Sequence, residues 1–279
     1  MSDFTAPSSK LNVNSSRWEL HFVVLAMWLL FISIPLNLGR LGLSWDALNH
    51  HIYLGWMADS SRLGWDYAAA SNQSYQFPYL YWPAYKLAIS GFSGMTAGII
   101  LATLHLIVVP PVWMVSRTLI PARDAYGAAM RIAAVALAFM SAVPLRMLES
   151  TGNDLLAAAP FLWAVALAFR AYAKNRADMM PVANRTAFIA GLLGGISVAF
   201  KLSNGPLAIL LPLLFLFGGG TWLHRAFRVA LCAFAIGLGF VVTYGYWGFQ
   251  LWTQFGNPIY PFYQAAFEPL RLLTGWAPP

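Results

Sequence analysis

Apolar residues in this chain gather in long blocks rather than in alternation with polar ones. A helix crossing a bilayer needs about 20 predominantly apolar residues. Blocks of that kind fall at 19–38, 95–116, 128–145, 155–173, 186–202, 206–222 and 228–248. They are too long for buried core helices, and the pattern predicts an all-α, polytopic membrane protein with about seven transmembrane helices. The blocks 186–202 and 206–222 are divided by Ser203-Asn204-Gly205-Pro206, a turn signal that predicts a tight helical hairpin. Pro110, Pro111 and Pro212 fall inside blocks, where neighbouring helices can satisfy the backbone groups that a kink frees.

Composition excludes the other broad classes. Of 279 residues, 59% are hydrophobic and only 10% charged, too few charges for a soluble surface or a disordered chain. The single cysteine, Cys232, sits in an apolar run and reads as a small helix-packing residue. The first block follows Arg17 as a signal peptide would, but Ile34-Pro35-Leu36-Asn37-Leu38 lacks a small-residue cleavage site, so it reads as an uncleaved anchor.

Charge then orients the spans. Eleven of the seventeen Lys and Arg residues, Arg17, Arg117, Arg123 and Arg131 among them, fall on the side of the N-terminus, and Arg40, Arg62, Lys86, Arg146, Lys201 and Arg271 fall on the other. Basic residues are retained in the cytoplasm. This predicts a cytoplasmic N-terminus and an outer C-terminus. The net charge of +7 is spread over short loops rather than gathered in a groove, which excludes nucleic acid as partner. Residues 1–17 read as a cytoplasmic tail and 18–279 as one membrane module.

Two outer segments, 40–94 and 249–279, are too long and too aromatic to be simple connectors. The first opens with Ser44-Trp45-Asp46-Ala47-Leu48-Asn49-His50-His51-Ile52-Tyr53, which predicts a juxtamembrane helix capped by Ser44. In a regular α-helix Asp46, His50, Tyr53 and Met57 share one face. Asp66 follows, and then Ser71 to Pro83, dense in aromatic and amide side chains that suit either contact with a sugar or an interfacial belt. Arg146 with Glu149, Gly152-Asn153-Asp154 opening the fourth span, and Lys201 ending the fifth all fall on the same outer side. Ionisable groups are expensive inside a bilayer, so Asp154 and Lys201 are expected at an outward polar cavity, where a helix cap and snorkelling are the structural alternatives. The tail segment Phe255-Gly256-Asn257-Pro258-Ile259-Tyr260-Pro261-Phe262 predicts a rigid turn that shapes or covers a pocket.

In combination these motifs resemble the GT-C superfamily of polytopic glycosyltransferases, in the bacterial branch that uses polyprenyl-phosphate-linked sugars for mannosyl or arabinosyl transfer. The resemblance rests on Trp45-Asp46 with Asn49-His50-His51-Ile52-Tyr53 after the first span, the Gly-Asn-Asp segment opening the fourth, and Gly256-Asn257-Pro258-Ile259-Tyr260-Pro261-Phe262 after the seventh. It covers most of residues 18–265, the seven-helix module of that superfamily.

The resemblance implies inverting transfer at the periplasmic face of a bacterial inner membrane. Asp46 would be the general base on the acceptor hydroxyl of a glycan or lipid. Lys201, with Arg146 in reserve, would hold the phosphate leaving group, and His50, Tyr53, Asp66, Asp154 and Asn257 would line the substrate site. Metal dependence varies within the superfamily, so a divalent metal is left open, although no His/Asp cluster here has ligand spacing. The usual C-terminal part of such enzymes is missing after Trp276-Ala277-Pro278-Pro279, which raises a minimal enzyme, a truncated copy, or a chain completed by a partner membrane subunit. A seven-helix receptor is disfavoured by the charge bias, and a transporter by the absence of an internal repeat.

Overall fold

A computed structural model describes residues 15–178 and 182–278. Of the predicted cytoplasmic tail, residues 1–14 lie outside the described residues, and Ser15 already opens the first helix. The described fold is almost entirely helical. In chain order the helices are α1 Ser15–Leu38, α2 Ile52–Asp59, α3 Trp82–Ile89, α4 Gly94–Leu104, α5 Val109–Leu119, α6 Ala125–Phe139, α7 Ala142–Leu148, α8 Asp154–Asp178, α9 Asn184–Phe200, α10 Gly205–Leu210, α11 Trp222–Phe255 and α12 Glu268–Thr274. Ser93, Asp124 and Thr221 stand just before α4, α6 and α11, each accepting a hydrogen bond from a first-turn backbone N–H. Gly256, at φ +62°, takes the left-handed conformation that ends α11.

Four stretches are long and apolar enough to cross a bilayer: Trp18–Leu38, Gly94–Leu119, Asp154–Ala173 and Trp222–Phe255. Their length and composition are those of an integral membrane protein. A fifth crossing is available if α6 and α7, bent by 69°, form one broken span. Where the sequence predicts two further long spans, the helices are shorter. Block 186–202 forms α9, of 17 residues, and block 206–222 is broken into α10 and a 3-10 run, Leu211–Phe217. Pro206 and Pro212 each stand at the start of one of these pieces, because proline tolerates a first helical turn and interrupts an interior one.

Even so, the chain must double back between α9 and α11. Gly191 approaches Ala235 and the carbonyl of Cys232, and Gly195 approaches Ile236 and Phe240, so the two helices run parallel. The 202–217 segment therefore returns along the length of α9. Helix α8 runs antiparallel to α9, with Asp154 meeting Lys201 at one end. At the other end the buried Arg228 donates to the carbonyls of Val182, Gly218 and Gly219. At that same end of the first half, Arg131 forks onto Glu19 at 2.6 and 2.7 Å.

Three apolar clusters fill the interior. Phe31, Trp113 and Phe139 join α1, α5 and α6; Ala164, Ala187, Phe215 and Cys232 join α8, α9 and α11 with the return segment. In the third, Leu54, Tyr75, Tyr244 and Trp247 fasten the 40–94 loop to α11, and the Trp247 indole N–H donates to the Tyr75 carbonyl at 3.2 Å. The outward faces of α1 and α11 carry exposed Phe22, Leu25, Leu29, Phe234, Val241 and Val242, an apolar surface suited to lipid and not to water.

Candidate functional site

The long loop and the α7–α8 connection meet over one end of the helices and enclose a cavity of about 440 Å³. Gly42 makes the junction close. Its N–H donates to the Glu149 carbonyl at 2.6 Å, and a Cβ there would stand 2.6 Å from that same oxygen. Beyond Gly42 the Ser44 hydroxyl accepts from the Ala47 N–H at 3.1 Å, the predicted cap. The helix does not continue as a regular α-helix, however. Residues Ala47–His51 form a π-helical turn before α2 begins. A π-turn inserts one residue into the helical register, and single turns of this kind concentrate at functional sites.

The widened turn separates the residues predicted to share a face. Asp46 stays at the cavity mouth with its side chain 54% exposed, while His50 is drawn in to 5%. Their closest atoms, Asp46 Oδ1 and His50 Nδ1, lie 3.8 Å apart, beyond direct hydrogen-bond length. His50 Nδ1 is buried without a hydrogen-bond partner. His51 also turns inward, its Nδ1 2.7 Å from the Thr151 hydroxyl, and its ring centre lies 4.8 Å from that of Tyr81. Burial is the main reason both imidazoles hold their protons weakly. The effect lowers His50 and takes His51 down to about 4, with the Lys201 charge adding to it and Asp46 opposing it. Burial likewise pushes the Tyr81 phenol up. At neutral pH the inner wall of the cavity is uncharged.

The opposite wall carries the charges. Lys201 and Asp154 form an ion pair across the ends of α9 and α8, so neither is a free charge. Arg146 and Glu149 also line the cavity, and neither has an ion-pair partner among the described residues. Gln73, Gln76 and Asn153 supply amides, and Gln76 accepts from the Tyr81 hydroxyl at 3.1 Å. A second cavity, also of about 440 Å³, adjoins the first and shares Ser44, Arg146, Glu149 and Ser150 with it. Its remaining wall is Arg40 with Leu38, Leu41, Gly42 and Leu43, at the end of α1.

Of the residues singled out in the sequence, Asp46, His50, Arg146, Asp154 and Lys201 meet in the first cavity. Tyr53, Asp66 and Asn257 are placed elsewhere. The π-turn rotates Tyr53 away from Asp46, and its hydroxyl reaches Asp66 at 3.4 Å. Asp66 is held by Arg62 through two bonds of 2.8 and 2.9 Å, which keep its carboxyl below the usual range. Asn257 is fully buried as the pin of the tail turn, accepting from the Ile259 N–H at 2.9 Å and donating to the Phe262 carbonyl at 2.7 Å. That turn does not line the cavity. It braces the loop, with the Tyr260 ring 4.6 Å from Tyr75 and stacked on Phe255 at 4.2 Å.

His51 and Thr151 are residues to which the sequence reading assigned no role. A His-His pair is visible in the sequence, but adjacent helical residues ordinarily diverge, and only the π-turn brings both rings inward. Among the described residues no group of three or more His, Cys, Asp and Glu side chains could hold a metal ion. No protein-family model, curated protein or solved structure matches this chain.

Proposed function

We propose that this chain is an integral membrane glycosyltransferase that moves a sugar from a polyprenyl-phosphate donor to an acceptor hydroxyl, with inversion at the anomeric carbon. The motif resemblance to the GT-C superfamily suggests the reaction. The observation that carries it is the pair of adjoining cavities joined at Arg146: one bordered by Asp46, the other by Arg40 and by Leu38, Leu41 and Leu43 where α1 ends, with Glu149 on the wall they share. A donor of this kind needs a polar chamber for the sugar and a cation for the phosphate, with apolar side chains such as these leucines where the prenyl chain leaves.

In the proposed step the acceptor oxygen attacks the anomeric carbon while the bond from that carbon to the phosphate oxygen breaks. The hydroxyl proton passes to Asp46, and the bonding electron pair leaves with the phosphate. Because Lys201 is neutralised by Asp154, Arg146 is the better cation for the leaving anion, with Arg40 beside it; Lys201 and Asp154 then act as one wall of the sugar chamber. The wider reading counts α9 and the return segment as two crossings, giving seven in all. In it the bias of basic residues puts the cavity end outside the cytoplasm, and the family resemblance suggests the periplasmic face of a bacterial inner membrane.

The test is transfer from a radiolabelled polyprenyl-phosphate sugar by the full chain in reconstituted membranes. Asp46→Asn is expected to reduce turnover by at least about 100-fold, the lower end of the range for general-base removal, with membrane abundance unchanged. Turnover retained in that variant removes Asp46 from the mechanism. A wild-type chain inactive with every such donor points instead to a non-catalytic partner subunit.

A further inference from the structure

The His50 ring packs against His51 and Tyr81, but its Nδ1, beside Asp46, has no hydrogen-bond partner. His50 is buried, lines the first cavity, and presents Nδ1 toward the Asp46 carboxylate across a gap of 3.8 Å. Bonds of normal length run to about 2.7–3.2 Å, so the two atoms do not satisfy one another. An oxygen about 2.8 Å from each forms the apex of a triangle on that base. A buried polar atom left without a partner is costly, which favours occupation of that apex.

We propose that His50 is a second catalytic residue, donating from Nδ1–H to the same hydroxyl oxygen whose proton Asp46 accepts. The inference rests on the transferase reading above. A lone pair on Nδ1 facing a carboxylate would be repelled, so the hydrogen belongs on the nitrogen that faces Asp46. The acceptor hydroxyl then donates to Asp46 Oδ1 and accepts from His50, and its remaining lone pair is free to attack the anomeric carbon. As the new C–O bond forms, the proton transfers to Asp46, and the oxygen, now an ether, keeps the bond from His50. No other group is consumed.

The charged and titratable groups around His50 are Asp46 and His51 on its own segment, Tyr81 on the following loop, and the Asp154–Lys201 pair from α8 and α9. Protonated His50 would close on Asp46 and remove its basicity. Turnover therefore falls on the acid side as His50 takes a proton, below the pH at which a free imidazole does so, because burial lowers its affinity.

Asn and Gln variants separate this role from packing, since the amide nitrogen of Asn superposes on Nδ1 and that of Gln on Nε2. With the labelled donor, His50→Asn is expected to retain more turnover than His50→Gln and to lose the part of the acid limb that His50 sets, leaving the fall that comes as Asp46 itself is protonated. His50→Gln is expected to lose about 100-fold, the lower end of the range for removing one oriented donor or general acid–base contact. Equal activity of the two variants, or an acid limb left unchanged in His50→Asn, overturns the proposal. A second measurement does not depend on turnover. ¹⁵N-histidine spectra of the full chain in lipid nanodiscs, with the His50 signal assigned by its loss in His50→Asn, should show the Nδ1–H tautomer. An Nε2–H tautomer overturns the role of His50 and leaves that of Asp46 standing, whereas loss of the Asp46→Asn effect removes the transferase reading on its own.

Discussion

At the level of single residues, a polar group that is paired and one that is aimed at the cavity predict different costs. Glu19 and Arg131 illustrate the first. Arg131 is 6% exposed and Glu19 12%; the fork between them is completed by the carbonyls of Ile120 and Ala122 and by the Trp113 indole on Glu19. Removing one member strands the other away from water. Glu19→Ala is expected to lower stability by about 3–5 kcal/mol, and the double variant Glu19→Leu with Arg131→Leu by clearly less. Thermal unfolding in one detergent decides between them, and a double variant worse than the single would refute this account. Asp46, Arg146 and Glu149 represent the second case. They border open space and hold up no helix, so their substitution is expected to change chemistry and spare the fold.

At the scale of elements, small residues govern how close the helices come. Gly191 and Gly195, one turn apart on α9, let its backbone lie against α11, and Gly239 on α11 does the same against Leu192. In lipid, close packing replaces the hydrophobic effect as the force between helices, so such contacts matter more than in water. A Cβ on Gly195 would meet the Ile236 carbonyl and the Phe240 nitrogen, backbone atoms that cannot rotate aside. At Gly237, on the same helix α11, nothing stands within 4 Å of an added Cβ. Gly195→Ala is therefore expected to lower the unfolding temperature in detergent, and Gly237→Ala to leave it unchanged or raise it slightly through better helix propensity. Equal behaviour of the two variants would contradict the parallel α9–α11 contact. The π-turn before α2 is the other decisive element, because it selects which side chains of the first loop enter the cavity.

At the scale of the molecule, the arrangement has two ends. The long loop, the α7–α8 connection, and the end of α9 lie together, while Glu19, Val182, Gly218 and Arg228 mark the opposite end. Cys232 is fully buried, so the chain carries little background thiol reactivity among the described residues. Single cysteines at the exposed positions Ser71 and Ser203 are expected to react with a membrane-impermeant probe from the same side, and cysteines at Arg123 and Thr221 from the other. Labelling of Ser203→Cys and Thr221→Cys from a common side would break the crossing assigned to the return segment, and with it the count of seven.

The helical membrane class, the position of each apolar block, the cap at Ser44, and five of the residues that border the cavity can be read from the linear order of residues. Those features are local: block length, a side-chain oxygen ahead of a helix, and the cost of charge in lipid act within a few residues and are legible without a fold. Tertiary structure alone decided that Lys201 is neutralised by Asp154, that Tyr53 turns to Asp66 and Arg62, that Asn257 pins a turn, and that His51 reaches Thr151. Asn257 acts through partners two to seven residues away, and the others depend on segments far apart in the chain or on one inserted residue in a helical turn. Residue spacing cannot reveal either, because both are settled by packing energy summed over neighbours that the linear order keeps apart.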